Sequence, residues 1–240
     1  WAAPLEDDVK NINGTSRDYL LTAWYKHTFE FGEKHSLGLT GGLIDATDYL
    51  DNVVYSEEEF TQFMNEALVN GPNTFLPSFD TGGALEWAMG NWRLDGVIMR
   101  VNENEDGNPY NFYGFELGYR LQTSLGEGNY RMLVDWSSAD FLDPEGVFPE
   151  RRSSILLPID QELGENLGAW IRFGWGDVKA AVDFAYIYSG GIDIKGTLWG
   201  REKDNIGIGY AYLGGGNKEL DKTRVAEAYV RFVIHKYFAL

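Results

Sequence analysis

Residues 111–137, NFYGFELGYRLQTSLGEGNYRMLVDWS, carry the clearest structural signal in the chain. The first part alternates between two faces of an extended strand. One face carries Tyr113, Phe115, Leu117, Tyr119 and Leu121, and the other carries Gly114, Glu116, Gly118, Arg120 and Gln122. The second part repeats the pattern, with Tyr130, Met132, Val134 and Trp136 on its apolar face. Period-two alternation predicts β-strands, and the short SLGEG connection predicts that the two strands form one hairpin.

The same pattern recurs along the chain and predicts about twelve strands in all. Further strands are predicted at residues 19–31, 36–45, 83–90, 92–101, 153–162, 167–175, 189–200, 205–213 and 223–234, with another that starts at Tyr237, which lies outside the residues that the structure describes. Short connectors lie at 32–35, 90–91, 124–128, 164–166 and 200–205, and long ones at 46–82, 102–111, 138–152, 176–188 and 214–222. Alternation of short and long connectors is typical of an up-and-down barrel with turns at one rim and loops at the other. A Greek-key sandwich has no reason to show it.

Composition narrows the class of protein. The 240 residues contain no cysteine, which excludes thiol catalysis and disulfides, and the net charge of −17 argues against nucleic-acid binding. No apolar run approaches the roughly 20 residues of a membrane helix, but a transmembrane β-barrel needs none. The sequence therefore predicts an all-β fold, a transmembrane antiparallel up-and-down β-barrel.

The polar faces of the predicted strands carry charges of both signs. In a barrel these would line a water-filled lumen, while the apolar faces contact lipid and carry aromatic residues near the strand ends. The candidate pore-lining and substrate-binding residues are Arg93, Asp95, Glu116, Arg120, Arg131, Asp135, Arg172, Lys195 and Arg231. Their basic members predict a ladder that donates hydrogen bonds to hydroxyls or carboxylates of a passing solute. Charge pairing that only holds strand register is an equal alternative.

The longest connector, 46–82, opens with three acids, Asp45, Asp48 and Asp51. Residues 56–71 within it predict a helix that Ser56 caps and Gly71 ends. Its apolar stripe comprises Phe60, Phe63, Met64 and Ala67. We expect this connector to fold into the pore as a constriction loop. The acids would then face solutes, pair with basic wall residues or bind a divalent cation, and helix capping with loop solvation is at least as good an explanation.

Catalytic motifs are missing from the sequence. It contains no G-x-S-x-G and no H-E-x-x-H, and no histidine stands near a candidate nucleophile. We therefore expect no enzymatic activity, no cofactor and no metal site.

Several segments together resemble the carbohydrate-selective porins of the OprB type. They are LTGGLIDATDYLDN, TQFMNEALVNGP, ALEW, LGYRLQTSLGEGNYRMLVD, YSGGIDIKGTLWGR, NIGIGYAYLGGGN and AEAYVRF, in this order over most of residues 19–240. The resemblance implies a Gram-negative outer-membrane barrel of about sixteen strands that passes small sugars by diffusion, with loops folded inward. Since only about twelve strands are predicted, we expect the single barrel domain of residues 1–240 to be incomplete at both ends. Pro158 also departs from a regular strand and predicts an irregularity there.

Two questions stay open at this point. A soluble or peripheral β-sandwich that binds carbohydrate without channel activity is the alternative to the porin. The expected partners are small sugars and outer-membrane lipids, and the assembly is either a monomer or a homotrimer.

Overall fold

One continuous antiparallel sheet dominates the structure. The computed structural model describes residues 20–218, 222–235 and 238–239. Eleven strands pair in the order β1 (Ala23–Glu30), β2 (His35–Ile44), β3 (Asp80–Met89), β4 (Trp92–Val101), β5 (Tyr110–Thr123), β6 (Gly126–Ser137), β9 (Ser153–Glu162), β10 (Leu167–Gly176), β11 (Phe184–Lys195), β12 (Asn205–Gly215) and β13 (Lys222–Arg231). Two short pairs stand apart, β7 (Phe141–Leu142) with β8 (Pro149–Glu150), and β14 (Val233–His235) with β15 (Phe238–Ala239).

The strand order confirms the predicted up-and-down arrangement. Every strand of the large sheet pairs with the next large strand along the chain, and β7 with β8 forms a separate hairpin inside the β6–β9 connector. Tight connections at 31–34, 90–91, 124–125 and 163–166 join strands at one rim. The long connections at 45–79, 102–109 and 138–152 lie at the opposite rim, because consecutive antiparallel strands reverse direction.

The two faces of the sheet differ as the alternation predicts. On the outer face, Phe115 and Trp136 are exposed and stack on each other with ring centroids 5.7 Å apart. The inner face is largely covered, and it includes Trp170, the one tryptophan whose position in the pattern places it among polar residues. An exposed apolar face on a single continuous sheet contradicts the β-sandwich alternative, in which two apolar faces pack together.

The core lies between the inner face and residues 45–79, which we call the inner loop. The loop side of the core comprises Leu50, Val53, Phe63 and Leu68, together with Ile44 at the end of β2, where the loop begins. All five side chains are fully buried. The wall contributes Leu133, Leu156, Trp170, Ile187, Ala211 and Leu213. The inner loop is therefore packed against the strands instead of lying free in the lumen. Strand β3 begins at Asp80, so the loop ends slightly earlier than the predicted residue 82.

The predicted helix over 56–71 is much shorter in the structure. The α-helix α1 covers only Glu66–Val69 and begins at the cap Asn65, whose side chain accepts a hydrogen bond from the Ala67 N–H. Short 3₁₀ turns cover Ala46–Asp48 and Pro72–Thr74. The four residues of the predicted apolar stripe do not share one face: Phe63 and Ala67 are buried, while Phe60 and Met64 are exposed. Contacts with the wall, described below, override the local helical pattern.

Two strand details also differ from a regular pattern. The strand predicted at 189–200 starts earlier and ends at Lys195, where Gly196–Trp199 form a 3₁₀ turn. Near Pro158 the β6–β9 pairing runs to Tyr130 opposite Ile159 and resumes at Leu133 opposite Leu156. This interruption agrees with the expected irregularity, since proline has no N–H to donate to a neighbouring strand. Within the described residues, no helix has the length and apolar character required to cross a membrane.

Candidate functional site

The inner face carries three groups of charged residues, and the first of them lies beneath the inner loop. Arg172, on β10, is completely buried. Its Nε donates to Asp51 Oδ1 at 2.8 Å, and its Nη1 donates to Ser56 Oγ at 2.7 Å and to the Leu68 carbonyl at 2.9 Å. Its Nη2 donates to the carbonyls of Ser56 at 3.0 Å and Val69 at 2.6 Å. Arg172 therefore does not face a solute, which corrects its predicted place in the pore-lining ladder.

Asp51 is the partner of Arg172 and is itself buried. Its Oδ2 accepts from the Gly71 N–H at 2.8 Å, and its own N–H donates to Glu116 Oε2 at 3.0 Å. The backbone of Asp51 is left-handed, with φ of 62°. An aspartate tolerates this conformation better than most residues, and here its side chain and its N–H are both held by partners. Asp51 is thus an anchor of the loop, not an exposed acid.

The second group surrounds a cavity of about 880 Å³, which we call the acidic cavity. Its lining includes seven carboxylates and one arginine: Asp45, Asp48, Asp51, Glu57, Glu58, Glu59, Glu66 and Arg93. Asp45 also caps the turn at 46–48 by accepting from the Thr47 N–H at 2.9 Å. Burial, and then the neighbouring Asp45 carboxylate, raise the pKa of Asp48. The structure brings the three predicted loop acids to this one cavity.

Among the residues that the structure describes, no group of three or more His, Asp or Glu side chains is arranged to hold a metal ion.

The third group surrounds a cavity of about 370 Å³, which we call the mixed-charge cavity. It lies between β4, β5 and β6 and the tight turn at 90–91. Five predicted pore-lining residues meet here: Arg93, Asp95, Glu116, Arg120 and Arg131. Asn52 of the inner loop and Arg93 of the wall line both cavities, so these two residues mark the boundary between them.

The three arginines of the mixed-charge cavity differ in how tightly they are paired. Arg131 is mostly buried and contacts Asp160 at 2.6 Å. Arg93 is half exposed and contacts Asp95 at 2.6 Å and Glu86 at 3.3 Å. Arg120 is 56% exposed, and the carboxylate of Glu127 lies 3.9 Å from it. Arg120 therefore has the most donors to spare for a solute.

The remaining predicted residues lie elsewhere. Lys195 and Arg231 line a separate cavity of about 500 Å³ near the β11–β12 connection. Lys195 lies 3.5 Å from Glu162. Asp135 is buried on β6 and accepts from Ser154 Oγ at 2.7 Å, so it is not exposed to a pore. The predicted ladder is thus not continuous: its exposed bases fall into two cavities on either side of the buried Arg172.

The sequence does not predict the roles that three further residues have in organising this site. Glu227 on β13 accepts from the Met64 N–H at 2.8 Å and the Asn65 N–H at 3.0 Å, and so stops the helix from extending toward Ser56. Ser56 is a buried acceptor for Arg172 instead of a helix cap. Asp160 pairs with Arg131. The alternation places Glu227 and Asp160 on the inner face, but their partners are distant in sequence.

Comparison with known proteins agrees with this geometry. Residues 7–230 match the family described as "Carbohydrate-selective porin, OprB family". The chain belongs to this porin family. The family comprises channels and not enzymes. An uncharacterized protein of Aquifex aeolicus (strain VF5) is 29% identical over 241 residues, a match that covers 98% of this chain and 66% of that protein.

A solved porin shares the fold. The "High pH structure of Pseudomonas putida OprB" aligns with a TM-score of 0.62 and 15% identity. The alignment covers 80% of this chain and 53% of the Pseudomonas putida chain. The eleven-stranded sheet is therefore the wall of a porin barrel, and this porin chain spans about half to two thirds of the length of these relatives.

Proposed function

We propose that this porin allows passive, carbohydrate-selective diffusion of small sugars across the outer membrane of a Gram-negative bacterium. The observation that carries the proposal is the mixed-charge cavity, where Arg93, Arg120 and Glu127 are about half exposed on the inner wall beside the buried carboxylates of Asp95 and Glu116. Its volume of about 370 Å³ is within the usual range of small-molecule sites. The opposite face of the same strands is apolar and suits lipid tails.

The chemistry of the cavity fits a polyhydroxylated solute. A guanidinium offers N–H donors in a planar fork, and a carboxylate offers acceptors, so neighbouring hydroxyls of a sugar find both kinds of partner. Arg120 and Arg93 are the proposed donors because both are about half exposed. The buried Asp95 and Glu116 orient Arg93 and Arg131, and the 43% exposed Glu127 is the proposed acceptor at the cavity wall. Lys195 and Arg231 are proposed as a second contact region at the turn rim.

The inner loop is proposed to narrow this path. Asn52 and Arg93 form the boundary between the two cavities. The acidic cavity lies on the inner-loop side of this boundary, and the mixed-charge cavity lies on the wall side. A sugar that passes from one cavity to the other would cross this boundary. Asp45 and Asp48 are proposed to face the solute from the loop side, whereas Asp51 is committed to its partners within the protein.

Single-channel conductance of the full-length protein in planar bilayers tests the proposal. We expect open channels whose current small sugars block in a concentration-dependent way. Arg120→Gln should weaken the block, since Gln keeps much of the length but loses the charged donor fork. Arg100→Gln is the matched control, because Arg100 lies on the outer face of β4 and contacts Asn111 at 3.3 Å.

Two results would overturn the proposal. Absence of conductance from the inserted full-length protein would remove the channel, and an identical sugar block in the wild type and Arg120→Gln would remove the proposed role of Arg120. The assembly state, a monomer or a homotrimer, remains a prediction that light scattering of the detergent-solubilised protein can decide.

A further inference from the structure

Arg172 connects two parts of the inner loop that are distant in sequence. One part is residues 51–56, reached through Asp51 and Ser56, and the other is the end of α1, reached through the carbonyls of Leu68 and Val69. Carbonyls at the end of a helix lack intrahelical partners, so they are good acceptors for a guanidinium. The Arg172 side chain therefore links these two parts of the inner loop to each other and to β10.

The donors of Arg172 are fully used. A guanidinium has five N–H groups, and all three of its nitrogens donate to acceptors in the loop. Its flat face lies 5.2 Å from the ring of Trp170, which packs edge to face on Phe63 of the loop. A buried arginine with matched acceptors on every nitrogen has no donor left for a solute, so its role is different from that of Arg120.

The contacts of Arg172 also affect the boundary between the two cavities. Asp51, which Arg172 holds, directly precedes Asn52, and Asn52 lines both cavities together with Arg93. Glu116 on β5 also binds Asp51, since its Oε2 accepts a hydrogen bond from the Asp51 N–H. The other carboxylate oxygen of Glu116 lies 3.8 Å from Arg131 Nε. The position of Asn52 relative to the wall is therefore set by the contacts of its neighbour Asp51.

We propose that Arg172 is the positioning residue of the inner loop and that, through Asp51, it sets the width of the passage at Asn52. The claim about the width of the passage rests on the proposed channel function, whereas the positioning of the loop by Arg172 does not. Without the guanidinium, the Asp51 carboxylate would lose its charge partner, its Oδ1 and the loop carbonyls would be left buried and unpartnered, and the loop would leave the wall to rehydrate them. Solutes larger than those admitted by the wild type would then pass.

A cysteine reporter measures loop position without relying on conductance. Val53 in the loop is fully buried, and cysteine is a similarly small, apolar replacement. Because these 240 residues contain no cysteine, Val53→Cys introduces one defined thiol, and the parent protein measures any background. The probe is a bulky, water-soluble maleimide applied to the full-length protein in lipid vesicles.

Three backgrounds are compared with this reporter: wild type, Arg172→Met and Arg100→Met. We expect Arg172→Met to raise the labelling rate of the Val53→Cys thiol by roughly a hundredfold or more, and Arg100→Met to leave it unchanged. Arg172→Lys should lie between them, because an ammonium keeps the charge but has only three donors. In vesicle-swelling assays, the size limit for sugars should rise in the same order as the labelling rate.

The outcomes separate the two proposals. Equal labelling in all backgrounds would overturn the positioning role of Arg172, whether or not the wild type conducts. Fast labelling with an unchanged sugar size limit would overturn the claim that the loop sets the passage. If Arg172→Met fails to insert into vesicles, Arg172→Lys decides by the same two measurements. Loss of conductance in the wild type would count against the channel function alone.

Discussion

Phe63 of the inner loop sits directly over a glycine of the wall, and this contact allows a quantitative test of how the loop is seated. A Cβ atom placed on Gly209 of β12 would lie 2.9 and 3.0 Å from two ring carbons of Phe63 and 3.3 Å from Leu68 Cδ2. Carbon atoms normally approach to about 3.5–4.0 Å. Gly209→Ala should therefore push the Phe63 ring away from its position against Trp170 and Tyr229.

The magnitude follows from the depth of burial. Phe63 is fully buried, so its ring cannot move without disturbing its neighbours, and overpacking of this kind costs about 1–3 kcal/mol of the free energy of unfolding. Phe63→Ala alone should cost about 3–5 kcal/mol. In the double variant the new methyl group occupies space that the ring has left. We expect the double variant to be more stable than the sum of the single effects by about 1–3 kcal/mol.

Urea unfolding of the full-length protein in lipid vesicles measures these free energies. Gly118→Ala is the matched control, since Gly118 also lies on the inner face but a Cβ there would meet its nearest atom, Arg131 Cγ, at an ordinary 3.5 Å. Gly118→Ala should be neutral or slightly stabilising. Additive effects of Gly209→Ala and Phe63→Ala, within about 0.5 kcal/mol, would show that the glycine does not make room for the loop.

Two further predictions concern other contacts of the loop. Glu227→Gln should lower the free energy of unfolding in urea by about 0.5–1.5 kcal/mol, because an amide has one acceptor oxygen for the solvent-exposed N–H groups of Met64 and Asn65. Glu33→Gln in an exposed turn should have no effect, and equal effects of the two variants would argue against this anchor. Burial raises the pKa of Tyr55 to about 12, so the folded protein retains a proton that the unfolded chain releases near pH 10. Stability should therefore fall as pH rises from about 10 to 12, and Tyr55→Phe should make this fall shallower; an identical pH dependence, followed together with tyrosinate absorbance, would contradict the burial of the phenol.

The wall of the porin could be predicted from the sequence because each strand carries its own signal. Alternation in residues such as Phe115 and Glu116 fixes which face each side chain occupies, and the lengths of the connectors fix the rim at which they lie. Both features are local. The family relationship then agrees with a fold that the periodicity already indicates.

The inner loop could not be predicted to the same extent, because its structure depends on partners far along the chain. Arg172 and Asp51 are 121 residues apart, and Glu227 and Met64 are 163 residues apart. A local helical pattern at 56–71 therefore gave the wrong extent for the helix. The sequence does indicate where the loop contacts the wall, but through glycines and not through the helical pattern. Glycines on the polar face, such as Gly209, mark where a buried loop side chain approaches the backbone.

The division of the inner-face charges into two classes has a physical basis. A charge that is buried must have all of its hydrogen bonds satisfied by the protein, since an unpartnered buried charge is strongly destabilising, and such a charge has nothing left to offer a solute. Arg172 and Asp51 meet this condition. A charge that remains half exposed, as Arg120 does, keeps water on its spare donors and can exchange that water for a sugar hydroxyl at little cost. In the proposed channel, the same residue type would thus position the inner loop in one place and contact the solute in another, with its exposure, not its position in the alternation, deciding which role it has.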